Sequence, residues 1–372
     1  MNAALFAAGL AIVLATWMSV LRTLVVPRGL SSRLTAGVTR AVRGTFDLLA
    51  GRFDRYETKD RILVAQGPTV LVVLLAAWVL LFLTGFLLMF AGMNGASFLA
   101  AFRESGSSVF TLGSAATPRL LPTVVELFAA ATGLVVVALQ IAYLPTLYGS
   151  FNRRETLVTL LQSRAGAPAW GPELLARHQI VATLDNLPAF FAEWERWSAD
   201  VAESHTNYPV LITFRSPDPY RSWIVGLLAV LDAAALRLAL NPSARQSEAR
   251  LCLRMGFTCV RDICRSLGIP YDPDPLPDTP IALSYDDFLR GVERLRDVGY
   301  EIEREPAAAW PHFRGWRVNY EQQCYAIARA TDAVPAVWSG PRRHSAEPML
   351  PVRPPNRTPG SKDAYTLPKP GS

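Results

Sequence analysis

Apolar positions form unbroken runs through the first 150 residues and fall at three- and four-residue spacing after them. The first run, Ala3 to Val26, is interrupted only by Arg22. From Ile62 to Phe102 there is no charged residue, and between Arg119 and Arg153 the only charge is Glu126. A bilayer-spanning helix needs about 20 mostly apolar residues, and each run supplies them. The pattern predicts three spans, over 1–26, from about Thr69 to Ala91, and from about Pro122 to Tyr148. A signal peptide competes for the first run, but Met1-Asn2-Ala3-Ala4 offers no basic n-region and the run outlasts a usual h-region.

Charge orders these spans. The segment 27–67 carries eight basic residues, Arg28, Arg33, Arg40, Arg43, Arg52, Arg55, Lys59 and Arg61, whereas 93–122 carries two, Arg103 and Arg119. Short loops rich in Lys and Arg stay in the cytoplasm. The expected orientation has the N-terminus outside, a basic cytoplasmic loop over 27–67, and everything after Arg153 in the cytoplasm.

The link between the second and third spans is the most informative stretch. Ala96 to Phe110 (ASFLAAFRESGSSVF) is too apolar for a surface loop and too short to span, which suits a re-entrant or interfacial helix. Irregular backbone at membrane depth is tolerated where it is buried in protein or lines a water-filled cavity. Span, short helix, Thr-x-Gly, proline and second span together resemble the pore module of the tetrameric potassium-channel superfamily, over residues 68–150. Thr111-Leu112-Gly113 matches the opening of that family's TVGYG filter, and Ser107 and Ser108 resemble its Thr-rich approach. Ser114 stands where the family has an aromatic, Ala115 where it has a second glycine, and Ala116 where an aspartate is usual. The resemblance implies a homotetramer, since one pore loop per chain cannot close a filter. It also implies an ion pathway past Thr111, Leu112, Gly113 and Ser114 for monovalent cations, with selectivity left open by the departures.

Glu126, Gly133, Gln140 and Leu147 recur every seven residues of span three and share one helical face. Polar residues inside a membrane face the bundle interior or a water-filled cavity. Glu126, Gly133 and Gln140 are therefore pore-lining candidates in the channel reading. The other reading makes the same stripe a helix–helix contact face. Gly133 as a gating hinge and Pro145 as a bend stand beside plain packing roles.

After Arg153-Arg154-Glu155 the sequence becomes charged and Trp-rich, and its spacing predicts an all-helical cytoplasmic domain over 151–334, with seven or eight helices. Only VLITF, 210–214, alternates like a strand. The run Trp223–Leu240 is almost oily enough to span, but Asp232 and Arg237 inside it favour a buried core helix over a fourth span. From Pro335 the chain holds nine prolines and few large apolar residues, the pattern of a disordered tail over 335–372.

Composition agrees with the runs: 51% of residues are hydrophobic, 18% are charged and the mean hydropathy is +0.20. A net charge of +6 flanks the spans rather than forming a nucleic-acid stripe, so the lipid bilayer, and no nucleic acid, is the expected partner. Cys252, Cys259, Cys264 and Cys324 form no CxxC pair, so no zinc or redox site is expected. No HExxH, GxGxxG, Walker or GxSxG motif is present, and the Asp-rich turn YDPDPLPD, 271–278, lacks the central Gly of an EF-hand. The expectation is an all-α membrane protein of three transmembrane helices, a re-entrant pore helix and loop, and a helical cytoplasmic domain. It has no cofactor and no enzymatic role. The alternative is a non-conducting membrane scaffold or sensor whose helical C-terminal half carries the activity.

Overall fold

A computed structural model describes residues 2–26, 32–94, 97–113, 119–343 and 346–353. Those residues form an all-helical chain with one isolated parallel bridge, between Ala336 and Met349. The chain divides into two compact units. Unit 1 comprises Met1–Arg154, Asp200–Pro219 and Arg265–Gly268, and unit 2 comprises Glu155–Ala199, Tyr220–Cys264 and Ile269–Ser372.

Unit 1 begins with α1 (Ala3–Leu24), whose first turn is capped by the Asn2 side chain. Next come α2 (Arg33–Ala50), capped by Ser32, then α3 (Tyr56–Leu63) and α4 (Gln66–Asn94). The 12-residue α5 (Phe98–Val109) follows, and then the 46-residue α6 (Leu120–Ala165), which runs through Pro145 and carries on past Arg153 and Arg154. Helices α1 and α4 are antiparallel, joined at one end by the Asn2 N–H donating to the Gly92 carbonyl at 2.7 Å. Their backbones touch where a Cβ on Gly9 would lie 2.4 Å from the Gly85 carbonyl oxygen, so small residues set the crossing. Further along, Trp78 Nε1 donates to Ser19 Oγ at 3.0 Å, and Trp17 Nε1 donates to Thr132 Oγ1 of α6 at 3.3 Å. Both tryptophans bind within the bundle.

The helices keep a buried and an exposed apolar side. Val13, Leu74, Trp78, Phe82, Phe86, Phe90, Val125, Ala129 and Val136 form the core. Leu14, Met18, Val72, Leu80, Leu127, Leu134 and Ile141 are exposed, as a helix bundle in lipid requires. Among the described residues, four helices are long and apolar enough to cross a membrane, within Ala3–Leu24, Tyr56–Met93, Leu120–Ala165 and Trp223–Leu240.

Unit 2 is built around the last of these. After α7 (Gly171–Ile180) and α8 (Leu187–Asn207) comes α9 (Trp223–Leu240), in which every residue but Arg237 is buried. Helices α10 (Ser247–Leu267), α11 (Tyr285–Arg296), α12 (Pro306–Arg317) and α13 (Glu321–Ala330) complete the fold. Asp232, the charge inside the apolar α9 run, ion-pairs with the fully buried Arg317 and accepts from Tyr320 Oη at 2.9 Å. Arg317 Nε also donates to Glu321 Oε1 at 2.9 Å. A buried charge is tolerated when paired in this way.

Three stretches add detail to the sequence pattern. VLITF, which alternates like a strand, falls largely in the 3-10 turn Pro209–Thr213, where Leu211, Ile212 and Thr213 are all buried. Within the expected 151–334 domain, 200–219 and 265–268 group with unit 1. The described residues just past Pro335 are packed. Trp338 and Ser339 are buried, and Arg342 is held by the carbonyls of Ala333 and Val334. Residues 354–372 lie outside the described residues.

Candidate functional site

Helix α5 packs against both of its long neighbours, away from the ends that flank it. Ser105 Oγ donates to the Leu83 carbonyl of α4 at 2.8 Å, eleven residues before the end of that helix. At its C-terminal end the Val109 carbonyl oxygen meets α6 at Gly133, where an added Cβ would come within 2.0 Å of it. At 1.5 Å per residue these contacts lie roughly 16 Å and 20 Å from the ends of α4 and α6 that flank the link.

A tight cap ends α5. Phe110 is the C-cap residue, the Leu112 N–H donates to the Ser107 carbonyl at 2.8 Å, and the Thr111 N–H donates to the Ser108 carbonyl at 3.0 Å. This is the Schellman pattern, which places the residue after the C-cap in the left-handed region. Thr111 fills that position with φ +56, and Gly113 follows at φ +69. Glycine is at ease there, but a β-branched residue costs of order 1–3 kcal/mol. Backbone strain of this kind tends to be kept where the turn has a task. Thr111, Leu112 and Gly113 are all exposed on the single chain, with Leu112 at 71%. Ser114 lies outside the described residues.

The three inner-helix candidates part company. Glu126 is half-buried in the second turn of α6. Gly133 is the seat for the end of α5. Gln140 is 6% exposed and faces a cavity within unit 1, and its Oε1 has no hydrogen-bond partner among the described residues. The exposed face of α6 is made instead by Leu127, Leu134, Val137 and Ile141.

Below that cavity lies a polar node whose role the sequence did not suggest beyond topology. Arg154 is fully buried, donating to His205 Nε2 at 3.0 Å, to the Leu211 carbonyl at 3.0 Å and to the Phe214 carbonyl at 2.7 Å. Arginine has no acceptor, so His205 Nε2 accepts and its ring proton sits on Nδ1, 3.0 Å from Ser204 Oγ. Burial, with the Arg154 charge, holds the His205 imidazole well below its ordinary range. Nearby, Arg215 ion-pairs with Asp60 and donates to Tyr56 Oη at 2.7 Å.

Unit 2 carries its own charged features. Glu173 binds three arginines, Arg177 at 3.0 Å, Arg294 at 2.8 Å and Arg353 at 3.2 Å. Those three hold its carboxyl below the usual range although burial opposes them. Beside it, a cleft of about 620 Å3 is lined by Arg164, Arg177, His178, Phe190, Glu193 and Arg196 among others. His178 Nδ1 is bonded to the Leu174 carbonyl at 2.8 Å, and the hydroxyls of Ser163 and Thr183 are bonded to backbone carbonyls. The four cysteines are buried and free, and burial raises their thiols, Cys264 to about 12. Among the described residues no three His, Cys, Asp or Glu side chains cluster as a metal site.

Comparison with known proteins adds no family to this geometry: no family model, no curated protein and no solved structure matches the chain.

Proposed function

We propose that the chain is a pore-loop membrane protein that passes monovalent cations as a homotetramer. The observation that carries this reading is the seat of α5. Its capped end meets Gly133 about 20 Å along α6, roughly two-thirds of a hydrocarbon core about 30 Å thick. An exposed polar turn at that depth needs water or another protein around it. A central aqueous path between four copies supplies both. Phe98, Leu99, Phe102, Phe110 and Leu112 are exposed on α5 and its turn, and neighbouring subunits would cover them. Support for the proposed orientation comes from the basic segment 32–61, which lies away from the bonded Asn2–Gly92 end of the bundle. The positive-inside rule favours the cytoplasm for that basic end.

A second reading, a non-conducting scaffold or sensor, is favoured by one observation. Two of the three inner-helix candidates, Gly133 and Gln140, are engaged within the single chain rather than on its outer face. Flux measurements on purified protein in liposomes, with potassium, sodium or no gradient, separate the two. The channel reading expects cation flux that Gly113→Ala abolishes, because alanine resists the left-handed backbone there. Intact tetramers without flux of any cation would overturn it, as would a monomer in both detergent and nanodiscs.

A further inference from the structure

We infer that the Gln140 cavity is a binding site for an anionic glycerophospholipid, with the acyl chain inside and the phosphate at an arginine rim. The cavity measures about 290 Å3 and lies wholly within unit 1. Its walls are Leu24 of α1, Val70, Leu71 and Leu74 of α4, Val210, and Leu267 at the end of α10. Its rim carries Arg22 of α1 with Arg40 and Arg43 of α2. Arg22 and Arg40 are exposed, so their guanidinium groups reach solvent beside an apolar hollow. At about 30 Å3 per water-sized group the space takes roughly ten non-hydrogen atoms, a length of acyl chain rather than a whole lipid.

The occupant is indicated by two independent features. A free anion gains little from leucine and valine walls, and a neutral hydrocarbon gains nothing from three arginines, so an amphiphile carrying both parts fits best. The second feature is Gln140, more than nine-tenths buried, facing the cavity with an unpartnered Oε1. An unmade hydrogen bond at a buried acceptor is costly, and a hydroxyl on the lipid's polar part removes that cost. Thr23 and Thr35, which also line the space, are bonded to each other at 2.8 Å and fasten α1 to α2 beside the rim. The site stands at the basic end of the bundle, where an anionic inner leaflet would supply its ligand under the proposed orientation.

The test uses the full chain in detergent with phosphatidylglycerol or phosphatidylcholine of matched acyl chains, reading bound lipid by native mass spectrometry. Two arginines beside an anionic headgroup predict a preference of roughly thirtyfold for phosphatidylglycerol. Arg22→Gln with Arg40→Gln should reduce it to near parity, and Gln140→Leu should weaken phosphatidylglycerol several-fold. Ala36→Phe, which fills the space from α2, should abolish retention of both lipids. If that variant does not fold, Thr39→Phe serves the same purpose. Equal binding of the two lipids by the native chain overturns the inference, as does an undiminished preference in the double arginine variant. Competition by glycerol phosphate at equal concentration overturns it too, because a free headgroup would then suffice. Binding is read without ion flux, so this result and the conduction result fail independently.

Discussion

At the scale of single residues, the Arg154–His205 pair links buried charge to pH. His205 is buried and neutral, its Nε2 accepting from Arg154, and its pKa lies well below the unfolded value of about 6.5. Between those two values the unfolded chain binds the extra proton, so stability rises with pH and is lost as pH falls below about 6.5. Each such proton is worth up to about 1.4 kcal/mol per pH unit. His178, lowered by burial and by the nearby Arg164, acts in the same direction. Glu173 titrates below the ordinary carboxylate range and adds no slope in this window. Melting in detergent should therefore fall as pH drops from about 7 to about 5.5, and His205→Gln, which still accepts from Arg154 but does not titrate, should flatten the fall. An unchanged slope in that variant would remove His205 as its source.

At the scale of elements, the contact between α5 and α6 has no slack. A side chain at Gly133 meets a backbone carbonyl at 2.0 Å, not the end of a flexible side chain, so relief requires moving α5. Gly133→Leu should destabilise by about 1–3 kcal/mol through overpacking and abolish any flux, whereas Leu134→Ala, on the exposed face, should stay within about 0.5 kcal/mol. Melting temperatures of the two variants check this, and equal values would show that α5 does not depend on that seat. The helices themselves were legible in the sequence, because long charge-free runs admit few alternatives to a spanning helix. The α5 stretch was legible from its length and apolar content, and α9 from the charges inside its run. The partners of the polar stripe were not. Seven-residue recurrence puts Gly133 and Gln140 on one face of α6 but is silent on what covers that face. Here it is Val109 for one and a cavity shared with α1, α2 and α4 for the other. Arg154 was legible only as a positive charge after a span. Its acceptors come from residues 50 to 60 positions later, a separation that local pattern does not encode.

At the scale of the whole molecule, the compositional break at Arg153 coincides with a unit boundary, yet it does not mark a module that ends there. Residues 200–219 return to unit 1 and complete it in three places. Leu211 and Phe214 supply carbonyls to the buried Arg154, Arg215 pairs with Asp60, and the Phe214 ring covers Gly67 so closely that a Cβ there would lie 2.6 Å from it. Leu211 and Phe214 also form an apolar cluster with Leu71, Tyr143 and Leu147. A chain cut after Ala165 keeps every span of the pore-like region but loses all of these partners. Removing one side of a buried ion pair costs about 3–5 kcal/mol, and the Asp60–Arg215 pair is about nine-tenths buried. That single loss is comparable to a sizeable part of the 5–15 kcal/mol that holds a typical domain together. Fragment 1–165 should therefore aggregate or elute as a broad peak in size-exclusion chromatography, while the full chain elutes sharply. Fragment 1–219, which restores the acceptors of Arg154 and the partner of Asp60, should recover part of the folded fraction. A sharp, heat-resistant 1–165 peak would instead make the membrane helices an independent module, with the returning segment a passenger on it.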